Sequence, residues 1–244
     1  MVTAIGEARF QRLLALSRPF DEADLRRLSP MLILSPHQDD ETLGAGGLIA
    51  TAAALGLAPR VAYLTDGGAS HLGSRTWSRE QLARLRRQEA IAALGELGVP
   101  PDDILFLGWR DAKPHAVGSL ERDDTVSALK RWTADRPPAS VWSTWAGERH
   151  CDHLATAEVA EAFRDSTVAG FAYVVWGWNE AALDDLADPR ALFCPSTVER
   201  RVRALARHAS QTTDLITDAP QAFRLPREVS AVTTRTSELY FEQP

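Results

Sequence analysis

Two short stretches of the chain concentrate side chains that bind metals and move protons. The first, Ser35-Pro36-His37-Gln38-Asp39-Asp40-Glu41, packs one imidazole and three carboxylates into five residues. Held together without a cation, those carboxylates would repel and raise one another's pKa. A divalent metal relieves that conflict, because imidazole nitrogen and carboxylate oxygen are both good zinc ligands. His37 and Asp40 stand at i, i+3 and can face one point if the chain turns into a helix near Asp40. Asp39 would then lie beside the metal, free to act as a base. Acids at a helix N-terminus also cap and complement the helix dipole, but two acids and a histidine directly after an apolar run favour the metal.

The second stretch is Glu148-Arg149-His150-Cys151-Asp152-His153. His150 and His153 share a face in the first turn of a helix. Either could complete a His/Asp/His set with coordination positions left open, as a catalytic metal requires. Cys151 points off that face, and a small buried thiol is expected there rather than a nucleophile. His71, His115 and His208 are isolated and receive no ligand role. Gly44, Gly46 and Gly47 match neither G-x-G-x-x-G nor the P-loop, so close packing beneath the site is their expected purpose.

The elements that must position these clusters alternate. Met31–Leu34, Arg60–Thr65, Ile104–Leu107, Ser140–Trp145 and Phe171–Trp176 read as strands, the first of them wholly apolar as for a strand buried on both faces. Helices are expected over 42–56, 78–97, 119–135 and 152–164, with Ser78 as N-cap and Gly98 past the end of the second. This pattern predicts an α/β fold with a mainly parallel sheet flanked by helices on both faces. Ligands in such sheets sit beyond the carboxyl ends of the strands, and both His-bearing stretches fall there, after the first and fourth strands. A single domain is expected over 1–244, with an N-terminal helical extension (1–30), an α/β core (31–180) and a C-terminal part (181–244) that completes it. That last part carries a helix near 196–210 and a Thr-rich, β-like segment around 229–234. Trp142, Trp145, Trp176 and Trp178 are expected in the core or a pocket wall; Trp109 and Trp178 could stack on a sugar ring, with core packing favoured.

Composition narrows the function classes. Of 244 residues, 45% are hydrophobic and 25% charged, which argues against disorder. A net charge of −6 supplies no global field for nucleic acid or anionic membrane. Two distant cysteines, Cys151 and Cys194, form no disulfide framework and suit a reducing cytoplasm. No signal peptide and no span long enough for a bilayer are evident, so a cytoplasmic location is expected. Oligomeric state, a homo-oligomer included, is left open.

The residues together resemble a family. Ser35 to Gly47 resembles the (A/S)-H-P-D-D-E-x-L-x-x-G-G signature of the LmbE-like, or PIG-L, deacetylases, and His150-Cys-Asp-His153 resembles their later H-P-D-H. Thr65-Asp-Gly-Gly68, Arg86-Arg-Gln-Glu-Ala90 and His208-Ala-Ser-Gln211 are similar to further landmarks, in the right order over roughly 31–211. The resemblance implies a Rossmann-like fold and a metal-dependent amidohydrolase, removing an N-acyl group, usually acetyl, from an amino sugar or its conjugate. It implies one Zn2+ per chain held by His37, Asp40 and His153, Asp39 as general base, and His150 assisting the oxyanion or protonating the leaving amine. Glu41 and Asp152 are expected to support those groups from behind. Gln38 and Cys151 stand where the family has prolines, and Glu148 stands where some relatives have a tyrosine. Arg75 and Asp111, on loops after the second and third strands, are candidates for binding a small-molecule substrate. Two rivals are a non-catalytic metal or nucleotide-sugar binding module and a non-haem iron oxygenase with two His and one carboxylate. The oxygenases normally use all-β scaffolds.

Overall fold

The computed structural model describes residues 4–186 and 188–243. The first three residues of the expected 1–30 extension, and residues 187 and 244, lie outside it. In chain order the elements are α1 (Ala4–Leu16), β1 (Arg18–Pro19), α2 (Glu22–Arg27), β2 (Met31–Ser35), α3 (Asp40–Ala54), β3 (Arg60–Thr65), β4 (His71–Leu72), α4 (Arg79–Leu97), β5 (Ile104–Trp109), α5 (Leu120–Trp132), β6 (Ser140–Thr144), α6 (Cys151–Phe163), β7 (Ala169–Tyr173), β8 (Pro189–Phe193), α7 (Val198–Arg207), α8 (Ala209–Thr212), β9 (Gln221–Ala222), α9 (Arg227–Ser230) and β10 (Ser237–Gln243). An eight-stranded sheet runs β1-β8-β10-β7-β6-β2-β3-β5, and β4 pairs with β9 apart from it. The strands β5, β3, β2, β6 and β7 are mutually parallel, whereas β10 inserts antiparallel between β7 and β8.

Side-chain alternation along β2 explains the layering. Leu32 and Leu34 join a core on one face with Val159 and Phe163 of α6, while Met31 and Ile33 join the larger core on the other with Leu48 and Ile49 of α3. From β2 the chain crosses to β3 on one side and later places β6 on the other. The order therefore reverses between β2 and β6, the point where open α/β sheets form a ligand crevice. Both His-bearing stretches emerge at that edge.

Several boundaries differ from the sequence reading. The extension is two helices flanking a two-residue strand. The segment around 229–234 is helical, α9 followed by a 3-10 turn: Val229 and Val232 are both buried, a spacing of three that one helix face satisfies. Strands β8 and β10 were unforeseen, and Leu239, Tyr240 and Phe241 of β10 are fully enclosed. Trp109 and Trp178 are core residues, each 4% exposed, so neither offers a stacking face. No helix among the described residues is long and apolar enough to cross a membrane.

The small residues of α3 do pack closely. A Cβ on Gly44 would come within 2.2 Å of the Tyr173 ring, which is buried and held by its hydroxyl donating to Leu34 O at 2.8 Å. The ring has nowhere to move. Gly44→Ala is expected to destabilise the fold by about 1–3 kcal/mol through overpacking, measurable by denaturant unfolding; unchanged stability would show that α3 can shift away.

Candidate functional site

The turn from β2 into α3 is built to present carboxylates. Asp39, the cap of α3, has φ of 151°, a strained backbone for any residue but glycine. Glu41 holds this geometry: its Oε2 accepts the Asp39 N–H at 3.1 Å, its Oε1 accepts the Thr42 hydroxyl at 2.7 Å, and His208 Nε2 lies 3.7 Å from Oε1. Gln38, in place of a proline, donates from Nε2 to Thr65 O at 2.9 Å and so ties the turn to the end of β3. Arg86 of α4 donates to Gln38 O at 2.9 Å and reaches Asp39 Oδ1 at 3.3 Å.

Three groups converge from two elements. His37 Nδ1 is 3.0 Å from Asp40 Oδ2, and His153 Nε2 is 3.2 Å from the same oxygen. Each imidazole is backed by a carboxylate on its other nitrogen. His37 Nε2 lies 3.0 Å from Asp152 Oδ2, and His153 Nδ1 lies 2.5 Å from Glu148 Oε2. Backing of this kind fixes the tautomer and aims the opposite lone pair, as carboxylates behind metal-binding histidines do. The decisive detail is His153 Nε2, which is buried and makes no hydrogen bond despite its closeness to Asp40. A buried nitrogen without a partner is costly, and a cation shared with His37 Nδ1 and Asp40 would satisfy it.

Other groupings are near. His37, His150 and His153 bring ligand nitrogens within 4.8 Å of one another, as do ligand atoms of His37, Asp111 and Asp152, and of His150, Cys151 and Asp152. Asp111 and Asp152 are already occupied. Asp111 accepts the Ala69 N–H at 2.8 Å, and Asp152 Oδ2 accepts the Ala112 N–H at 2.8 Å besides facing His37. Their loops are thereby tied to the site.

The electrostatics follow from burial and pairing. Burial works against a charge on His153, but Asp40 and Glu148 lift its pKa to about 9. His37 is likewise raised by Asp111, Asp152 and Asp40 against the pull of burial. Asp40, opposed by burial, is held well below the usual carboxylate range by His153 and His37. Burial pushes Asp39 up to about 6, with Arg86 pulling it down and Asp40 pushing it up. Two adjacent aspartates thus have opposite character, Asp40 held as an anion and Asp39 shifted toward neutrality.

His150 caps α6, its Nδ1 accepting the Asp152 N–H at 3.2 Å. That leaves the proton of the neutral ring on Nε2. Burial, then His37 and His153, hold its pKa below the ordinary value, so the ring is a neutral donor at pH 7. Cys151 is exposed rather than buried, and partial burial followed by Asp152 raises its thiol pKa, which makes it a poor nucleophile.

A cavity of about 610 Å3 opens above these groups, with His37, Asp39, Asp40, Asp111, His150 and His153 among its lining. Arg75 is outside that lining and exposed, its backbone N–H donating to Asp218. Glu148 is not at the cavity either. It is a buried residue whose Oε1 accepts the N–H groups of Val175, Trp176 and Gly177 at 2.6, 2.9 and 3.1 Å. This capture explains why β7 ends at Tyr173 instead of running on to Trp176. Glu148 lies in the second His-bearing stretch and Arg86 in a family landmark, but their roles here were not foreseen, because the backbone groups and carboxylate they hold are remote in sequence.

A family model described as PIG-L, GlcNAc-PI de-N-acetylase, matches residues 32–163. The chain belongs to the PIG-L family. It is 28% identical over 166 residues to a 1D-myo-inositol 2-acetamido-2-deoxy-alpha-D-glucopyranoside deacetylase of Mycobacteroides abscessus, a match that covers 60% of this chain and spans only 59% of that one. Among solved structures, an N,N'-diacetylchitobiose deacetylase from Pyrococcus horikoshii superposes with a TM-score of 0.61 at 22% identity, covering 75% of this chain and 71% of that one. A 4-carboxy-2-hydroxymuconate hydratase from Pseudomonas putida superposes with a TM-score of 0.63 at 18% identity, covering 87% and 94%. The shared fold therefore carries more than one chemistry, and in this PIG-L chain the chemistry has to be argued from the site.

The dual hold of Glu148 yields a sharp expectation. In Glu148→Gln the amide oxygen can keep the three backbone donors, but the amide NH2 then faces His153 Nδ1. The ring proton would be forced to Nε2, the unpartnered atom beside Asp40 that a cation would need as a lone pair. Divalent-metal affinity, measured by competition with a chromophoric chelator, should fall by about ten- to a hundredfold; unchanged affinity would remove Glu148 from this role.

Proposed function

We propose that this PIG-L chain is a zinc-dependent hydrolase that removes an N-acyl group, in the first place acetyl, from an amino sugar or amino-sugar conjugate. The observation that carries the proposal is the unpartnered His153 Nε2 beside Asp40 and His37, at the floor of a cavity that is also lined by Asp39, a carboxylate on a strained backbone with no place in that trio. His37, Asp40 and His153 would hold the zinc, a set of two nitrogens and one oxygen that leaves positions open. When bound, such a cation supplies Lewis acidity toward an acyl carbonyl and lowers the pKa of water.

The chain's own groups account for the proton movements. Asp39, with a pKa near 6 set chiefly by burial, accepts the proton of the attacking water. Its strained backbone and the Arg86 contact keep that carboxylate beside Asp40 without joining it. His150, carrying its proton on Nε2, donates a hydrogen bond to the carbonyl oxygen as negative charge develops there. On collapse the C–N bond breaks, and the amine leaves with a proton from Asp39 or His150. One water is consumed and one carboxylic acid and one amine are released. Asp111 faces the cavity but is engaged by Ala69 and His37, so its contribution is to orient His37 rather than to bind substrate freely.

Two observations count against the rivals. A binding module has no use for a strained, pKa-raised Asp39, and the parallel α/β sheet is unlike the all-β scaffolds of the iron oxygenases. Asp39→Asn separates the readings. Zinc should stay near one per chain by metal analysis while release of free amine from N-acetylated amino sugars drops by about 10²- to 10⁴-fold. Full activity in that variant would contradict the base assignment, and loss of zinc along with activity would place Asp39 among the ligands.

A further inference from the structure

Beyond its polar floor, the cavity changes character. Leu72 and Phe223 line its wall although 45% and 38% exposed, and Trp176 completes the same wall. Large apolar side chains exposed inside a concave site signal an apolar ligand rather than incomplete packing. None of the three is loosely placed. Leu72 belongs to β4, which pairs with β9 so that Leu72 lies opposite Gln221, and the Phe223 N–H donates to Ser70 O at 2.7 Å. Trp176 meets Phe223 edge to face, with ring centroids 5.9 Å apart and planes at 82°, and its backbone is fixed by Glu148. At this wall Ser70 Oγ is engaged with His71 and Gln211, and the exposed Arg149 pairs with Glu180 at 2.8 Å, so the apolar side chains are what the wall itself offers a ligand.

We propose that Leu72, Trp176 and Phe223 form a subsite for an apolar or aromatic group attached to the amide that is cleaved, so that the substrate is a conjugate and not a free N-acetylated sugar. The inference deepens the hydrolase reading above and rests on it for the position of the amide. Because Glu148 grips both His153 and the Trp176 backbone, one carboxylate sets the distance between the metal-facing imidazole and the apolar wall. The apolar group can belong to the acyl side or to the amine side of the amide, and the two are separable by experiment.

Binding is measured by calorimetry on the zinc-loaded full chain with ligands that cannot turn over: phenyl against methyl β-glucoside for the amine side, and hexanoate against acetate for the acyl side. The apolar member of at least one pair should bind about tenfold or more tightly, the scale on which hydrophobic pockets discriminate. That preference should collapse in Phe223→Ala and in Leu72→Ser, both surface-accessible changes that leave the buried core intact. A preference in the glucoside pair alone places the group on the amine side, and one in the acid pair alone places it on the acyl side. Equal binding within both pairs, or a preference that survives both variants, overturns the subsite. Self-association of the chain that Phe223→Ala abolishes, without any ligand preference, also overturns it and assigns the patch to a second copy. If the preference holds but N-acyl amino-sugar conjugates release no amine, the hydrolase reading fails and the subsite stands.

Discussion

Acids and imidazoles are enclosed together at one sheet edge, and their mutual pairing governs the turns around them. His37, Asp40, Asp152, His153 and Glu148 are all buried, at 9% exposure or less. Unpaired, any of these charges would cost several kcal/mol to keep from water. The chain answers by alternating them: Asp152, His37, Asp40, His153 and Glu148 form one chain of close contacts from the loop after β5 to the loop after β7. Its weak link is in the middle, where two nitrogens address one oxygen and one of them stays unsatisfied. That is where a cation would complete the series.

Distant parts of the fold are held by the outer members of that chain. Asp152 fixes the loop after β5 through Ala112, and Glu148 fixes the turn after β7 through three backbone N–H groups. A second tier stands behind Asp39. Arg86 reaches Asp39 directly, while Glu89, one turn along α4, accepts both the N–H and the hydroxyl of Ser210. The segment around His208 is thus docked against the back of the acid turn, which gives the His208-Ala-Ser-Gln211 landmark a structural purpose.

The parallel half of the sheet was legible in the sequence because each strand is a short apolar run between helix signals such as the Ser78 cap and Gly98. The site was legible to the extent that its members are close in sequence. His37, Asp39 and Asp40 share a single turn, and His150 and His153 share another. The carboxylate backing of the imidazoles was less visible, since Glu148 lies five residues from His153 across an irregular loop. Strand β10 escaped because an antiparallel insertion from the chain's end depends on partners in β7 and β8, which no local pattern records. The segment at 229–234 misled because Thr and Val favour strands intrinsically, while burial of Val229 and Val232 on one face decides for a helix. Cys151, expected to be buried, is exposed because the first turn of α6 turns His153 and Asp152 inward instead.

X-ray absorption at the zinc edge of the loaded protein, compared with a His153→Ala variant, tests the metal site directly. The expected nearest neighbours are nitrogen and oxygen alone at about 2.0–2.2 Å, with imidazole scattering from two histidines that falls to one in the variant. A sulfur shell at about 2.3 Å, or imidazole scattering unchanged by His153→Ala, would contradict it.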